Sequence, residues 1–190
     1  MFAKTASIVT LLAAVASAMP AANAGTATTG GKLASRTNGD PAITHTVVAG
    51  LGGLHFDPDN VVAEIGDVIE WHFLPANHSV AQSSFGAPCK PLNTGNGFFS
   101  GFQPTPSGQA PDVFQITIED TNPIWYYCAQ TKGDHCQAGM AGVINQNFNS
   151  ATNTLAAYKA AAALTGTSEI PAWVNPLEGV IANPNPLGGF

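Results

Sequence analysis

Pro123-Ile-Trp-Tyr-Tyr-Cys128-Ala-Gln-Thr-Lys-Gly-Asp-His135-Cys136-Gln-Ala-Gly-Met140-Ala-Gly-Val-Ile144 reads as strand, loop, strand. The aromatic and β-branched run before Cys128 and the short apolar run after Met140 suit a pleated, half-buried surface. Gly133-Asp134 and Gly139 punctuate what lies between as turns. A thiol (Cys128), an imidazole (His135) and a thioether (Met140) are thereby gathered on one loop, in a C-x₆-H-x₄-M pattern.

Working outward, short runs of the same texture recur at 43–48, 60–65, 68–73 and 113–118, broken by Gly, Pro, Asn and Asp. Gly66-Asp67 makes a turn between the second and third of them. Several short strands with no helix between them predict an all-β domain, an antiparallel sandwich or barrel. From Phe85 to Pro111 runs a long Gly/Pro/Asn/Ser-rich segment that contains Cys89. Loops of that length are functional or pinned by a crosslink. Residues 151–164 are alanine-rich and form the one strong helical stretch, expected to dock on the domain and to be followed by an extended tail.

At the N-terminus, Lys4 precedes an apolar run from Ile8 to Ala18, too short to span a bilayer and typical of a secretory leader. Cleavage is expected before Met19 or before Gly25, with the second preferred. The expected organisation is a leader at 1–24, a flexible lead-in at 25–42, the β-domain at 43–147, and a helix with its tail at 148–190. No other stretch is a membrane-helix candidate, and 183–190 lacks the hydrophobic tail of a GPI signal. The expectation is therefore an exported chain with no transmembrane segment and no GPI anchor, soluble or held non-covalently in a cell wall. The net charge is −6, one unit more negative without Lys4, so nucleic acid and anionic membranes are poor partners.

Three cysteines remain after the leader, an odd count in an oxidising compartment. A Cys89–Cys136 bridge would tie the long loop to the ligand loop and leave Cys128 as a thiolate. The alternative, Cys89–Cys128, would consume the one thiolate with ligand spacing. With His78 some fifty residues upstream, Cys128, His135 and Met140 make a His₂Cys set with a thioether, which selects copper for electron transfer. His45, His55 and His72 show no such spacing and read as strand or surface residues. Ser79 and Asn77 flank His78 and are candidates to orient the site by hydrogen bonds.

Phe56-x-Pro58, Gly66-Asp67-x-Ile69-x-Trp71, His78-Ser79-Val80, Cys89, Tyr127-Cys128, Gly133-Asp134-His135-Cys136 and Gly139-Met140 together resemble the cupredoxins. Within them the phytocyanin-like branch, and the secreted fungal proteins built on it, are most similar. The resemblance spans roughly 43–147 and implies a Greek-key β-sandwich. It also implies one type 1 copper held by His78, Cys128, His135 and Met140, with a Cys89–Cys136 disulfide. Two departures stand out. Six residues separate Cys128 from His135, where plant phytocyanins have four, and nothing in the core fold corresponds to the region after Phe148. Asn77-His78-Ser79 is formally a glycosylation sequon, expected to stay unmodified because the folded loop hides it.

The functional expectation is single-electron transfer with a secreted redox protein or a small-molecule reductant or oxidant. The competing one is a wall-associated binding module in which copper is structural, scavenged or absent. An enzyme is disfavoured. Neither cleavage site yields the N-terminal histidine of a polysaccharide monooxygenase, and no His-x-His pair exists for a trinuclear copper centre. Gly-x-Ser-x-Gly, His-Glu-x-x-His and Gly-rich phosphate loops are also missing.

Overall fold

Alternation along Val68–Phe73 sends Ile69, Trp71 and Phe73 to one face of a strand, and that face becomes the floor of the core. The computed structural model describes residues 41–92, 97–173 and 179–185. In chain order the strands are β1 (Thr44–Ala49), β2 (Phe56–Asp57), β3 (Asn60–Val61), β4 (Val68–Phe73), β5 (Asn77–His78) and β6 (Ala81–Ser83). They continue with β7 (Gln103–Pro104), β8 (Asp112–Thr117), β9 (Ile124–Tyr127) and β10 (Ala141–Ile144). Helix α1 (Leu155–Ala162) and β11 (Val180–Ala182) complete the set.

One sheet runs β11-β8-β4-β1-β2 and the other β3-β10-β9-β6, while β5 and β7 form a separate ribbon. The two larger sheets enclose a core in which Val47, Ile69, Trp71, Phe73 and Phe114 meet Val61, Tyr126, Cys128, Met140 and Ile144. Trp71 sits at its centre, edge-on to Tyr126 at 5.3 Å and tilted against Phe114 at 5.7 Å. The architecture is the expected all-β sandwich with a C-terminal helix. Its sheets are mixed rather than wholly antiparallel, because β1 pairs in parallel with β4 and β3 with β10. The chain between β1 and β4 crosses to the other sheet to lay down β3 before returning, and such a crossover permits parallel neighbours.

Helix α1 is shorter than the 151–164 stretch that its composition suggests. Thr154 caps it, its side chain accepting from the Ala157 amide at 3.2 Å, and the chain before it is spent on turns through Ser150 and Gln146. The amides of Leu164 and Thr165 bond back only three residues, closing the helix in a tighter turn. Leu155, Tyr158 and Ala162 face the outer side of the second sheet and pack with Trp125, Tyr127, Ala141 and Val143. Tyr158 stacks on Trp125 at 5.1 Å and shares a 2.5 Å hydrogen bond with the Ser83 hydroxyl.

The leader and nearly all of the lead-in fall outside the described residues. Within the tail, the chain adds an edge strand: β11 pairs antiparallel with β8, with Val180 opposite Phe114. Among the described residues no helix is long and apolar enough to cross a membrane.

Candidate metal centre

β9 ends at Tyr127, so Cys128 leaves the sheet with its side chain still inside the core, fully buried. The following loop folds back by its own backbone bonds. The amides of Asp134, Ala138 and Gly139 donate to the carbonyls of Thr131, Asp134 and Cys136. Met140 N–H donates to His135 O at 2.9 Å and Cys128 N–H to Met140 O at 3.0 Å. These two bonds close the loop on itself and bring its two ends side by side. Gly139 adopts φ +101°, which a side-chain-bearing residue avoids, so the reversal before Met140 needs glycine.

His78 arrives from the β5–β7 ribbon. The nitrogen and sulfur donor atoms of His78, Cys128 and His135 all lie within 4.8 Å of one another, and all three residues are buried. His135 Nδ1 is 3.4 Å from the Cys128 sulfur, and the two imidazole rings are 5.0 Å apart. Met140 is completely buried in the same core cluster as Cys128. Ser79 donates its backbone N–H to the Cys128 sulfur at 3.4 Å, and its hydroxyl lies 3.8 Å from that sulfur. The same hydroxyl accepts from the Ala129 amide at 3.0 Å, which leaves its proton free to point at the sulfur. Asn77 contributes only backbone pairing; its buried Oδ1 has no partner among the described residues.

Two residues that the sequence does not flag hold the His78 ring. The Pro75 carbonyl accepts from His78 Nε2 at 3.3 Å, which fixes the tautomer with a lone pair on Nδ1. Gly50 lies flat beneath the ring: a Cβ there would come within 2.4 Å of Nε2. Both relations are non-local, and no spacing pattern announces them. Gly50→Ala should displace the imidazole and, with the φ of +92°, strain the turn after β1. The expected result is at least a tenfold weaker metal affinity in a chelator competition, in line with the usual effect of losing a ligand-orienting contact.

Burial sets the protonation states. It lowers the pKa of His78, and it lowers that of His135 to about 4, helped by the neighbouring His78 ring. Burial also raises the Cys128 thiol pKa, partly offset by hydrogen bonds from the Gln130 and Ser79 amides and the Ser79 hydroxyl. At neutral pH the imidazoles are therefore neutral bases and the thiol keeps its proton until a cation displaces it. A consequence follows for the metal-free protein. Between about pH 6.5 and 4 the unfolded chain protonates at position 135 while the folded one does not, so stability falls as pH falls through that window. Urea midpoints at pH 7 and 4.5 should differ by more in the wild type than in His135→Gln.

The residues fit a soft transition metal on their own chemistry. His78 Nδ1 is buried and has no hydrogen-bond partner among the described residues, and the adjoining donors are a thiol sulfur and a second imidazole. A buried imidazole nitrogen with no partner is costly unless something coordinates it. Cys136 does not share this role. It is joined to Cys89 by a disulfide with a Cα–Cα distance of 5.8 Å, and Cys128 is the free cysteine among the described residues. Of the remaining histidines, His45 pairs with Asp67 at 2.8 Å, and His72 lies between Glu70 and Gln109 at 2.7 and 2.8 Å. Neither belongs to the His78–Cys128–His135 cluster.

No protein-family model matches the chain. The described residues form a sandwich of two mixed sheets with a buried His-Cys-His donor cluster. A curated relative from Arthroderma benhamiae, a probable GPI-anchored cupredoxin-1, is 38% identical over 129 residues, covering 68% of this chain and 63% of its own. A second from the same fungus, an extracellular serine-rich protein, is 38% identical over 105 residues, covering 55% of this chain and 40% of its own. The chain thus spans between two fifths and two thirds of the length of these relatives. Among solved structures, a purple cupredoxin from Nitrosopumilus maritimus aligns at 16% identity and a TM-score of 0.39, over 52% of this chain and 95% of that one. Auracyanin B aligns at 17% and 0.39, over 58% and 93%. The sandwich, the donor cluster and the 38% identity to a named cupredoxin place this chain in the cupredoxin superfamily.

One expectation is corrected. The composition of 183–190 predicts no GPI anchor, but the cupredoxin relative is itself described as GPI-anchored. The physical reason is that an anchor signal lies at the C-terminal end of a precursor, and this chain spans 63% of that relative. The composition of the last residues here therefore does not exclude an anchor.

Proposed function

We propose that this chain is a type 1 copper protein of the cell surface or extracellular space that passes single electrons, with His78, Cys128, His135 and Met140 holding one copper. The observation that carries the proposal is the convergence of one thiol and two imidazoles, all buried, within 4.8 Å. Such a site supplies a one-electron Cu(II)/Cu(I) couple when loaded. The chain's own part is to keep the donors in place through the change. Pro75 and Gly50 hold the His78 ring, Ser79 N–H stabilises negative charge on the Cys128 sulfur, and the disulfide anchors the loop beside His135. The surrounding apolar core excludes water. Four protein donors would leave no position for a substrate, which argues against an enzyme.

The proposed location follows the descriptions of the two relatives, one GPI-anchored and one extracellular. The proposed partner is a secreted redox protein or a small reductant or oxidant. The competing reading is a wall-associated module whose copper is structural, scavenged or absent. Reconstitution of the purified protein with Cu(II) separates the two. An intense sulfur-to-copper absorption band with narrow hyperfine splitting in EPR is expected. A colourless protein with ordinary tetragonal signals would remove the type 1 reading. Met140→Gln should retain the band while lowering the midpoint potential, since an amide oxygen is a harder donor than a thioether and would favour Cu(II) over Cu(I).

A further inference from the structure

Beyond the core sandwich, residues 165–169 after α1 hydrogen-bond to Gln137, to Tyr127 and to Cys89, which lie beside the candidate ligands or in their disulfide. The Gln137 side chain, next to Cys136, is held on both its amide atoms. Its Nε2 donates to Thr165 Oγ1 at 3.0 Å and to the Gly166 carbonyl, and its Oε1 accepts from Ser168 Oγ at 3.1 Å. Tyr127, next to Cys128, donates its phenol proton to the Glu169 carbonyl at 2.6 Å. The Glu169 amide in turn donates to the Cys89 carbonyl at 2.9 Å. Ser168 is buried, and Thr165 itself is tied to the end of α1 through the Ala162 carbonyl at 2.7 Å. A surface tail has no need of this convergence. Five hydrogen bonds from residues 165–169 land on Gln137, Tyr127 and Cys89, while the loop interior is already satisfied by its own backbone.

We infer that residues 165–169 form a strap that positions the ligand loop, with Gln137 as the positioning residue through which it acts, a role that deepens the copper reading above. The physical case is one of entropy and leverage. The loop from Ala129 to Gly139 carries four exposed residues, Lys132, Gly133, Asp134 and Ala138, and its inner side holds buried donors. Restraint on the outer side at Gln137 limits the excursions of Cys136 and, through it, of His135. A loop held in one geometry before metal arrives presents the donors preorganised, and it changes little between oxidation states. The strap follows α1 but holds the loop by its own hydrogen bonds, whereas α1 is attached to the rest of the domain separately, through Tyr158 and the Lys159–Asp59 ion pair at 2.6 Å.

The test uses the full chain, metal-free, and reads amide hydrogen exchange. Gln137→Ala and Ser168→Ala should each speed exchange of residues 130–139, the former by about tenfold, as a local opening loses its restraint. Lys159→Ala, which loosens α1 without touching the loop, should leave those amides unchanged, and Ser168→Thr, which keeps the hydroxyl, should restore wild-type exchange. In the copper-loaded proteins, Gln137→Ala should release metal to a chelator about tenfold faster than wild type, the scale of a lost orienting contact. No acceleration in Gln137→Ala, or equal acceleration in Lys159→Ala, would overturn the strap. Exchange needs no metal, so a wild type that fails to develop the intense band would end the type 1 reading while the strap is still decided by the exchange pattern.

Discussion

Cys128→Ser should abolish the intense visible band and the narrow EPR hyperfine splitting of the copper-loaded protein while the sandwich stays folded. The substitution exchanges a soft, polarisable sulfur for a hard oxygen whose proton is far more difficult to remove, and the site loses the donor that defines it. The space changes little, because Cys128 is fully buried and serine is slightly smaller. The Ser79 amide and His135 Nδ1 can still reach a hydroxyl, so far-UV circular dichroism should match wild type. Any copper that still binds should give ordinary tetragonal spectra. An unchanged band would mean that the thiolate is not the ligand, and the whole ligand assignment would fall with it.

The second large effect is on stability. Converting both Cys89 and Cys136 to serine should cost about 4 kcal/mol, the loop-entropy value for a bridge of this span, since the two cysteines are 47 residues apart. The loss should appear as a lower urea midpoint for the metal-free protein with a similar dependence on denaturant. Reducing agent should produce the same shift in wild type and none in the double variant. A change below about 1 kcal/mol would indicate that residues 165–169, which bind Cys89 and Gln137 independently, already restrain the loops that the bridge joins.

The long strands were legible because they carry a period. At β4, Ile69, Trp71 and Phe73 alternate with polar or smaller neighbours, and β8, β9 and β10 each sit between turn formers. Two-residue elements such as β2, β5 and β7 carry no period, and β6 is scarcely longer. They exist because of what they pair with, so they appear only once the sheets are assembled. The parallel match of β1 with β4 is hidden for the same reason, since register is a property of two distant segments. Helix α1 was visible in its alanines, but its boundaries depend on Thr154 and on hydrogen bonds from Ser150 and Gln146.

Within the candidate site, His78, Cys128 and His135 could be singled out by residue type and spacing, and the structure brings their donor atoms into one cluster. Gly50 and Pro75 could not, because their contribution is a backbone surface and a carbonyl, and neither has a chemical signature. Gln137 was hidden in a similar way. An amide two residues after a histidine means nothing until the chain returns some thirty residues later to bind it.

Strand β9 alternates between two interiors. Tyr126 points into the core with Trp71 and Phe56, while Tyr127 and Trp125 point outward to α1. A two-layer sandwich with a solvated outer face can be trimmed to its strands, but this one is covered on that side by Leu155, Tyr158 and Ala162. A shortened version ending after β10 would expose Trp125, Tyr127, Ala141 and Val143 as one contiguous apolar sheet face, the kind of surface that drives self-association. For anyone transplanting or minimising this domain, solubility therefore sets the boundary well past β10, beyond the helix that covers this face.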